Sequence, residues 1–380
     1  MHQNSYGKRN ARYDFDLARI RLGPCVHPQV QFPERLWTRL TNEVVLESAR
    51  TSLVSYPDQA KPNALQRQLC DYLARTRGVQ CLPDQVVLFS GSESAIIALL
   101  QLFDARSDVL AHEEPGYSTF TDAAKRAGFR LSPAPTDDPE PDSFLFGVKA
   151  CSPKLAFSTP SHQYPTGKVM PLEMRVEFLK LASEMGFYIL EDDSCSEYRY
   201  GTNTIPSLQS LDSDNRVIYF GNFSKVLSPS LRIAYLVLPP ELLRKYHRVF
   251  ETSWTTVPLL VQEVIAKMIA SGDLDQHVRK MATSNARRHD ELVRCLNREF
   301  GDAITLSGVH AGMHLYAHVH NGMDQRQLVE SALDHDALVY RTDQCWFSRP
   351  ANKSTLMIGF SAIALEDIAP GVKALAEAWL

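Results

Sequence analysis

The stretch FYILEDDSCSEYRY (residues 187–200) decides how this chain is read. An apolar run, Phe187 to Leu190, ends in three acids, Glu191, Asp192 and Asp193, and then in two small residues, Ser194 and Cys195. A short apolar run bounded in this way reads as a buried strand. Carboxylates at the end of a buried strand are costly unless positive groups meet them. In an open α/β sheet, ligands gather beyond the carboxyl ends of the strands. The ends of the other strands are therefore the next place to look.

Between residues 85 and 238 short β-rich runs alternate with helical patterns. The predicted strands are Gln85–Phe89, Asp108–His112, Lys154–Ser158, Phe187–Glu191, Arg216–Gly221 and Arg232–Leu238. The predicted helices are Ser92–Phe103, Tyr117–Ala127 and Pro171–Met185, the last with Pro at its first position and Gly186 at its close. Such alternation predicts an α/β fold with a mostly parallel, helix-covered sheet. After Pro239-Pro240 long amphipathic stretches, Glu241–Phe250 and then roughly Val257 to Phe300, lead into a smaller α+β region. The expected division is an N-terminal arm (1–45, with Pro24, Pro28 and Pro33), a large domain (46–255) and a small C-terminal domain (256–380).

Composition excludes several classes. With 44% hydrophobic and 22% charged residues and a net charge of −4, the chain has no electrostatic footprint for nucleic acid. Its longest apolar stretch, Ile96 to Phe103, is interrupted by Gln101 and is too short to span a bilayer. The N-terminus lacks the apolar segment of a secretory signal. Seven scattered cysteines without a CxxC or paired-His spacing predict reduced thiols, a cytoplasmic location and no metal site.

Each strand end has two readings. Ser90-Gly91-Ser92-Glu93 precedes a helix and can either cap it or offer backbone N–H groups to an anion. Gly221-Asn222-Phe223-Ser224-Lys225 is followed by Arg232. A turn lysine is most often simply solvated, but lysine also forms Schiff bases with carbonyl cofactors, and arginine is the best bidentate phosphate ligand. Tyr117, after Pro115-Gly116, can staple the next helix or stack on a planar ring. Asp192 can serve in a local cap or salt bridge, or hold the proton on a pyridine nitrogen. Phosphate anchor, lysine, stacking aromatic and pyridinium partner together are what pyridoxal 5′-phosphate (PLP) requires.

The chain resembles the fold-type-I PLP-dependent enzymes of the class I/II aminotransferase group, and most of all the aminotransferase-like domain of MocR/GabR-type proteins. STPSHQYPTG (158–167), ILEDDSCSEYRY (189–200), FGNFSKVLSPSLRIAYLVLPP (220–240) and EEPGYSTF (113–120) carry the resemblance. It implies a seven-stranded-type sheet in the large domain and a Schiff base between Lys225 and PLP. It further implies Arg232 and Ser224 on the phosphate with Gly91 and Ser92, Tyr117 stacked on the ring, and Asp192 at the ring nitrogen. His162, Tyr164, Ser194 and Asn222, with Ser90 and Glu93, complete the implied cofactor-contacting set. Tyr56 would reach the phosphate of a partner subunit, which implies a homodimer with shared sites.

The sequence also departs from that pattern. Ser194 and Cys195 stand where relatives place a tyrosine that bonds the cofactor's phenolic oxygen. Asn222 replaces a serine, Tyr164 replaces an asparagine, and Met357 stands where many aminotransferases keep an arginine for the substrate carboxylate. Arg341 and Arg349 are candidates to replace that arginine. Too few residues precede the first matching block for the winged-helix domain of MocR regulators. The resemblance most simply implies an aminotransferase acting on an amino acid or related amine with a keto acid. PLP-dependent elimination, cyclisation or oxidation is an alternative, and a non-catalytic PLP or amine sensor is a second.

Overall fold

A computed structural model describes residues 20–22, 32–48, 61–138, 140, 142–201, 205–253 and 255–380, and the structural statements below concern these. β1 (Ile20–Arg21) and α1 (Glu34–Ser48) come first, followed by α2 (Ala64–Arg77). Strands and helices then alternate: β2 (Val86–Phe89), α3 (Ser92–Leu100), β3 (Val109–Glu114), α4 (Ser118–Arg126), β4 (Arg130–Pro135), α5 (Ser143–Cys151) and β5 (Leu155–Ser158). The series continues through α6 (Leu172–Met185), β6 (Tyr188–Asp192), the short α7 (Leu208–Leu211), β7 (Val217–Asn222) and β8 (Ala234–Val237).

These strands form one seven-stranded sheet in the order β2-β8-β7-β6-β5-β3-β4. All run parallel except β8, which is antiparallel to both its neighbours. Successive strand residues face opposite ways, so a sheet covered on both sides buries both phases. Leu110, Phe157, Leu190 and Ile218 pack with α3 and α4 through Ile96, Leu99 and Phe120. Their chain neighbours Ala111, Ala156, Ile189 and Val217 pack with α5 and α6 through Phe144 and Phe178. This double burial is why the strands read as continuous apolar runs. Truncating a side chain as buried as Phe157 (1% exposed) to alanine costs about 3–5 kcal/mol.

The remaining elements are α8 (Pro240–Val249), α9 (Leu259–Ala270), α10 (Asp273–Phe300), β9 (Ile304–Ser307), β10 (His314–Val319), α11 (Gln325–Asp334), β11 (Ala337–Leu338), β12 (Tyr340–Arg341), β13 (Thr355–Gly359) and α12 (Leu365–Trp379). A second sheet, antiparallel throughout, has the order β12-β13-β10-β9. α10 and α12 cover it through Leu292, Leu296 and Leu375 against Leu315, Leu356 and Ile358. β1 pairs with β11, while Leu40 and Val44 of α1 join Ile265 and Met268 of α9 in a cluster with Leu69 and Leu88. No described helix is long and apolar enough to cross a membrane.

Four differences from the predicted elements have physical causes. β4 was not predicted because Pro133 and Pro135 interrupt it, and it survives as an edge strand bonded only to β3. Pro171 is the cap before α6 rather than its first residue, with extended backbone at φ −60°, ψ 158°. The stretch from Val257 to Phe300 is two helices, parted at Ser271-Gly272. The last strand of the large sheet begins at Ala234 rather than Arg232, because Arg232 sits in the left-handed region at φ 52°. That kink bears directly on the site.

Candidate active site

The carboxyl ends of the parallel strands β3, β5, β6 and β7 open on one edge of the large sheet, where a cavity of about 450 Å3 lies. Lys225, Asn222 and Ser224 enter it from the turn after β7, and Asp192 and Ser194 from the end of β6. Tyr117 enters from the turn after β3, His162 and Tyr164 from the segment after β5, and Ser92, Glu93 and Arg232 from the α3 and β8 side.

Arg232 is held against the start of α3. A Cβ on Gly91 would stand 2.5 Å from the Arg232 guanidinium, and Gly91 itself has φ 92°, a region that only glycine adopts without strain. Glycine here lets a fixed cation lie beside the free N–H groups of a nine-residue helix. Both favour an anion at the same spot. Glu93 is on the rim, paired with Arg126 of α4 at 2.7 Å. Ser90 does not line the cavity, because its hydroxyl goes to Thr256 at 2.7 Å.

The three acids of the opening stretch have three different environments. Glu191 is fully buried and accepts the backbone N–H groups of Leu208 (2.7 Å) and Gln209 (2.9 Å), with the buried Arg175 guanidinium 3.9 Å away. Burial and then the neighbouring Asp193 push its carboxyl up to about 7. Asp193 accepts from Arg77 of α2 at 2.6 Å and from Tyr219 at 2.9 Å, and Ser161 also bonds it. Burial opposes the charge on Arg77, but Asp193 outweighs it and holds the guanidinium charged. Only Asp192 lines the cavity. Burial pushes its carboxyl up to about 6, against the donors of Ser194 that favour the ionised form.

The aromatic wall rests on a tight turn. A Cβ on Gly116 would stand 2.1 Å from the Glu113 carbonyl oxygen, so only glycine allows the turn that delivers Tyr117. Tyr117 lies stacked at 6.3 Å from Phe157 and edge-on to Tyr164 at 5.9 Å. His162 packs edge-on to His314 of β10 at 4.8 Å. Burial, then His314 and Lys225, keep His162 neutral.

The chain matches the family Aminotransferase class I and II over residues 32–361. It belongs to the class I and II aminotransferases. It is 33% identical over 315 residues to an uncharacterized HTH-type transcriptional regulator, YdeL, of Bacillus subtilis, covering 83% of this chain and 67% of that protein. It is 31% identical to the probable rhizopine catabolism regulatory protein MocR of Rhizobium meliloti, covering 93% of this chain and 71% of that one. The fold is shared with a kynurenine aminotransferase of Pyrococcus horikoshii at a TM-score of 0.84 and 24% identity, covering 94% and 90% of the two chains.

As a member of this aminotransferase family the protein uses PLP, and its cavity suits that cofactor. The cradle at Gly91 and Arg232 suits a phosphate, and the buried acid Asp192 suits a protonated ring nitrogen. Among the described residues no cluster of His, Cys, Asp and Glu could hold a metal ion. A larger cavity of about 730 Å3, lined by apolar side chains such as Phe144, Met170 and Val309, shares Thr159 with the first. It lacks Lys225, Asp192 and Arg232, so the chemistry belongs to the smaller cavity.

Neither arginine put forward for the substrate carboxylate reaches the aminotransferase cavity. Arg341 lies on the edge strand β12, half-exposed, 3.6 Å from Asp343. Arg349 bonds Asp137 at 2.6 Å and lies over Trp346. Tyr56 is outside the described residues. Sequence reading missed His314, 1% exposed on β10, and Arg77, 116 residues from its partner. Nothing local marks either: His314 lies on the phase of β10 opposite the core-facing Leu315, Ala317 and Val319, and only the packing of the small domain against the large one buries it beside His162.

Proposed function

We propose that the protein transfers the amino group of an amino acid or related amine to a keto acid, with PLP attached at Lys225. The observation that carries this reading is the convergence of Lys225, Asp192, Arg232 and Tyr117 from four strand ends on one cavity. Arg232 and the N–H groups at the start of α3 would hold the phosphate, and Ser92 and Ser224 stand beside them. Tyr117 would fix the ring plane, and Asp192 would keep a proton on the ring nitrogen. PLP so held supplies an electron sink that stabilises negative charge at the substrate's Cα. Lys225 Nζ, once released by the incoming amine, is the base that takes the Cα proton, and burial leaves the neighbouring His162 too weak a base to compete for it. We read the protein as a cytoplasmic homodimer, from its cysteine usage and the expected role of Tyr56.

The test is Lys225→Ala. The visible band of bound PLP and turnover with a keto acid should both vanish. A variant that keeps both refutes the assignment. A spectral screen of amino acids and amines against the wild type then identifies the substrate. A second reading, a ligand sensor without turnover, is favoured by the likeness to named regulators. It predicts spectral changes on adding amines but no keto-acid-dependent return to the starting spectrum.

A further inference from the structure

Ser194 and Asn222 are two of the positions where the sequence leaves the pattern of its relatives, and the structure brings them into contact across β6 and β7. The Asn222 amide nitrogen lies 2.7 Å from Ser194 Oγ, and its oxygen lies 3.0 Å from the backbone N–H of Ser224. Ser194 in turn bonds Asp192 twice, through its backbone N–H at 3.0 Å and through its hydroxyl, both on Oδ1.

The directions of these bonds follow from chemistry alone. A backbone N–H can only donate, so the Asn222 oxygen must face Ser224. The Asn222 NH2 must then face Ser194, whose oxygen accepts. The one hydrogen of the Ser194 hydroxyl is left for Asp192. Asp192 Oδ1 therefore receives two donors, and Oδ2 has none among the described residues.

We propose that Asn222 and Ser194 are positioning residues, a relay that ties the carboxylate of Asp192 to the lysine-bearing turn and presents it to the cofactor as an acceptor. The proposal rests on the placement of the PLP ring nitrogen at Asp192 given above. The relay does for Asp192 what burial opposes, since donors to the ionised form favour it. The other charged groups facing Asp192 are Lys225 across the cavity and Asp193, the residue just past the end of β6, the latter neutralised by Arg77 from α2. Neither substitutes for the relay. Lys225 belongs to the other end of the cofactor, and Asp193 is spent on Arg77.

The experiment uses the PLP-loaded protein and reads the pH midpoint of its visible absorption together with the PLP retained after gel filtration. Ser194→Ala and Asn222→Ala should each move the midpoint by about one pH unit in the same direction, a tenfold change in proton affinity. The double variant should move it no further than either single one, as links in one chain are non-additive. Ser194→Thr, which keeps the hydroxyl, should restore the wild-type midpoint, and Asn222→Ser provides a milder probe of the second link. Midpoints within about 0.2 units of wild type in both alanine variants overturn the relay, as does simple additivity. If instead Lys225→Ala leaves the wild-type spectrum intact, the cofactor placement fails and the relay falls with it. An intact Lys225 dependence with unmoved midpoints, or with additive shifts, refutes the relay alone.

Discussion

Replacing Arg77 by leucine tests how the opening acids are tolerated. Asp193 has 0% side-chain exposure and Arg77 10%, so the pair is almost dry. Asp193 accepts from Arg77 Nε at 2.6 Å and Nη2 at 3.2 Å, from Tyr219 at 2.9 Å and from Ser161. Arg77→Leu removes the counter-charge and two of those four donors, leaving a carboxylate buried with hydroxyls only. Removing one member of such a pair costs about 3–5 kcal/mol. Unfolding entropy is about 2.1 cal/mol/K per residue, so 380 residues give roughly 0.8 kcal/mol/K, and the loss becomes about 4–6 °C in melting temperature. Scanning calorimetry of the wild type, Arg77→Leu, Asp193→Leu and the double variant measures it. The double variant should recover most of the loss, because it buries no orphaned charge. A single variant melting within 1 °C of wild type, or a double variant carrying the sum of both losses, would refute the reasoning.

Two further outcomes follow from the same geometry. Gly91→Ala places a methyl against the Arg232 guanidinium at a φ that alanine resists, so PLP affinity measured by equilibrium dialysis should fall at least about tenfold. Unchanged affinity would mean that the cradle holds no phosphate. Burial raises the carboxyls of Glu191 and Glu197 to about 7 and of Asp192 to about 6. Each of these carboxyls then keeps a proton in the folded state that the unfolded chain has lost, so its contribution to stability falls as pH rises from roughly pH 4 to its raised value, whereas His112 and His162, kept neutral by burial, contribute in the opposite sense below about pH 6.5. Glu191→Gln should therefore gain melting temperature relative to the PLP-free wild type from pH 5.5 to pH 8, and a difference that does not change across that range contradicts the assignment.

Much of the site was legible because its parts sit at fixed places in a periodic pattern. Apolar runs of strand length, each ending in small or polar residues and each followed by a helical stretch, specify both the parallel sheet and the edge where a ligand binds. Lys225, Asp192, Arg232 and Tyr117 were each ambiguous alone and became legible as a set, since each lies within a few residues of a strand end. The edge strand β4 was not legible, because its prolines break the local pattern and only pairing with β3 reveals it.

What the tertiary structure alone decided is what meets each acid. In sequence the resemblance singles out Asp192, but nothing local names the partners of Glu191 and Asp193. In space the strand alternates its faces, so Glu191 meets the amides of α7 and Asp193 meets Arg77, 116 residues away. Asp192, pointing the other way, is left at the cavity with Ser194 and Asn222 behind it. The same reasoning separates Arg232, which its backbone kink turns towards Gly91, from Arg341 and Arg349, which have partners elsewhere. Residue type and spacing set the chemistry available at the strand ends. Long-range pairing, which spacing along the chain does not encode, selected the side chains that face the cavity.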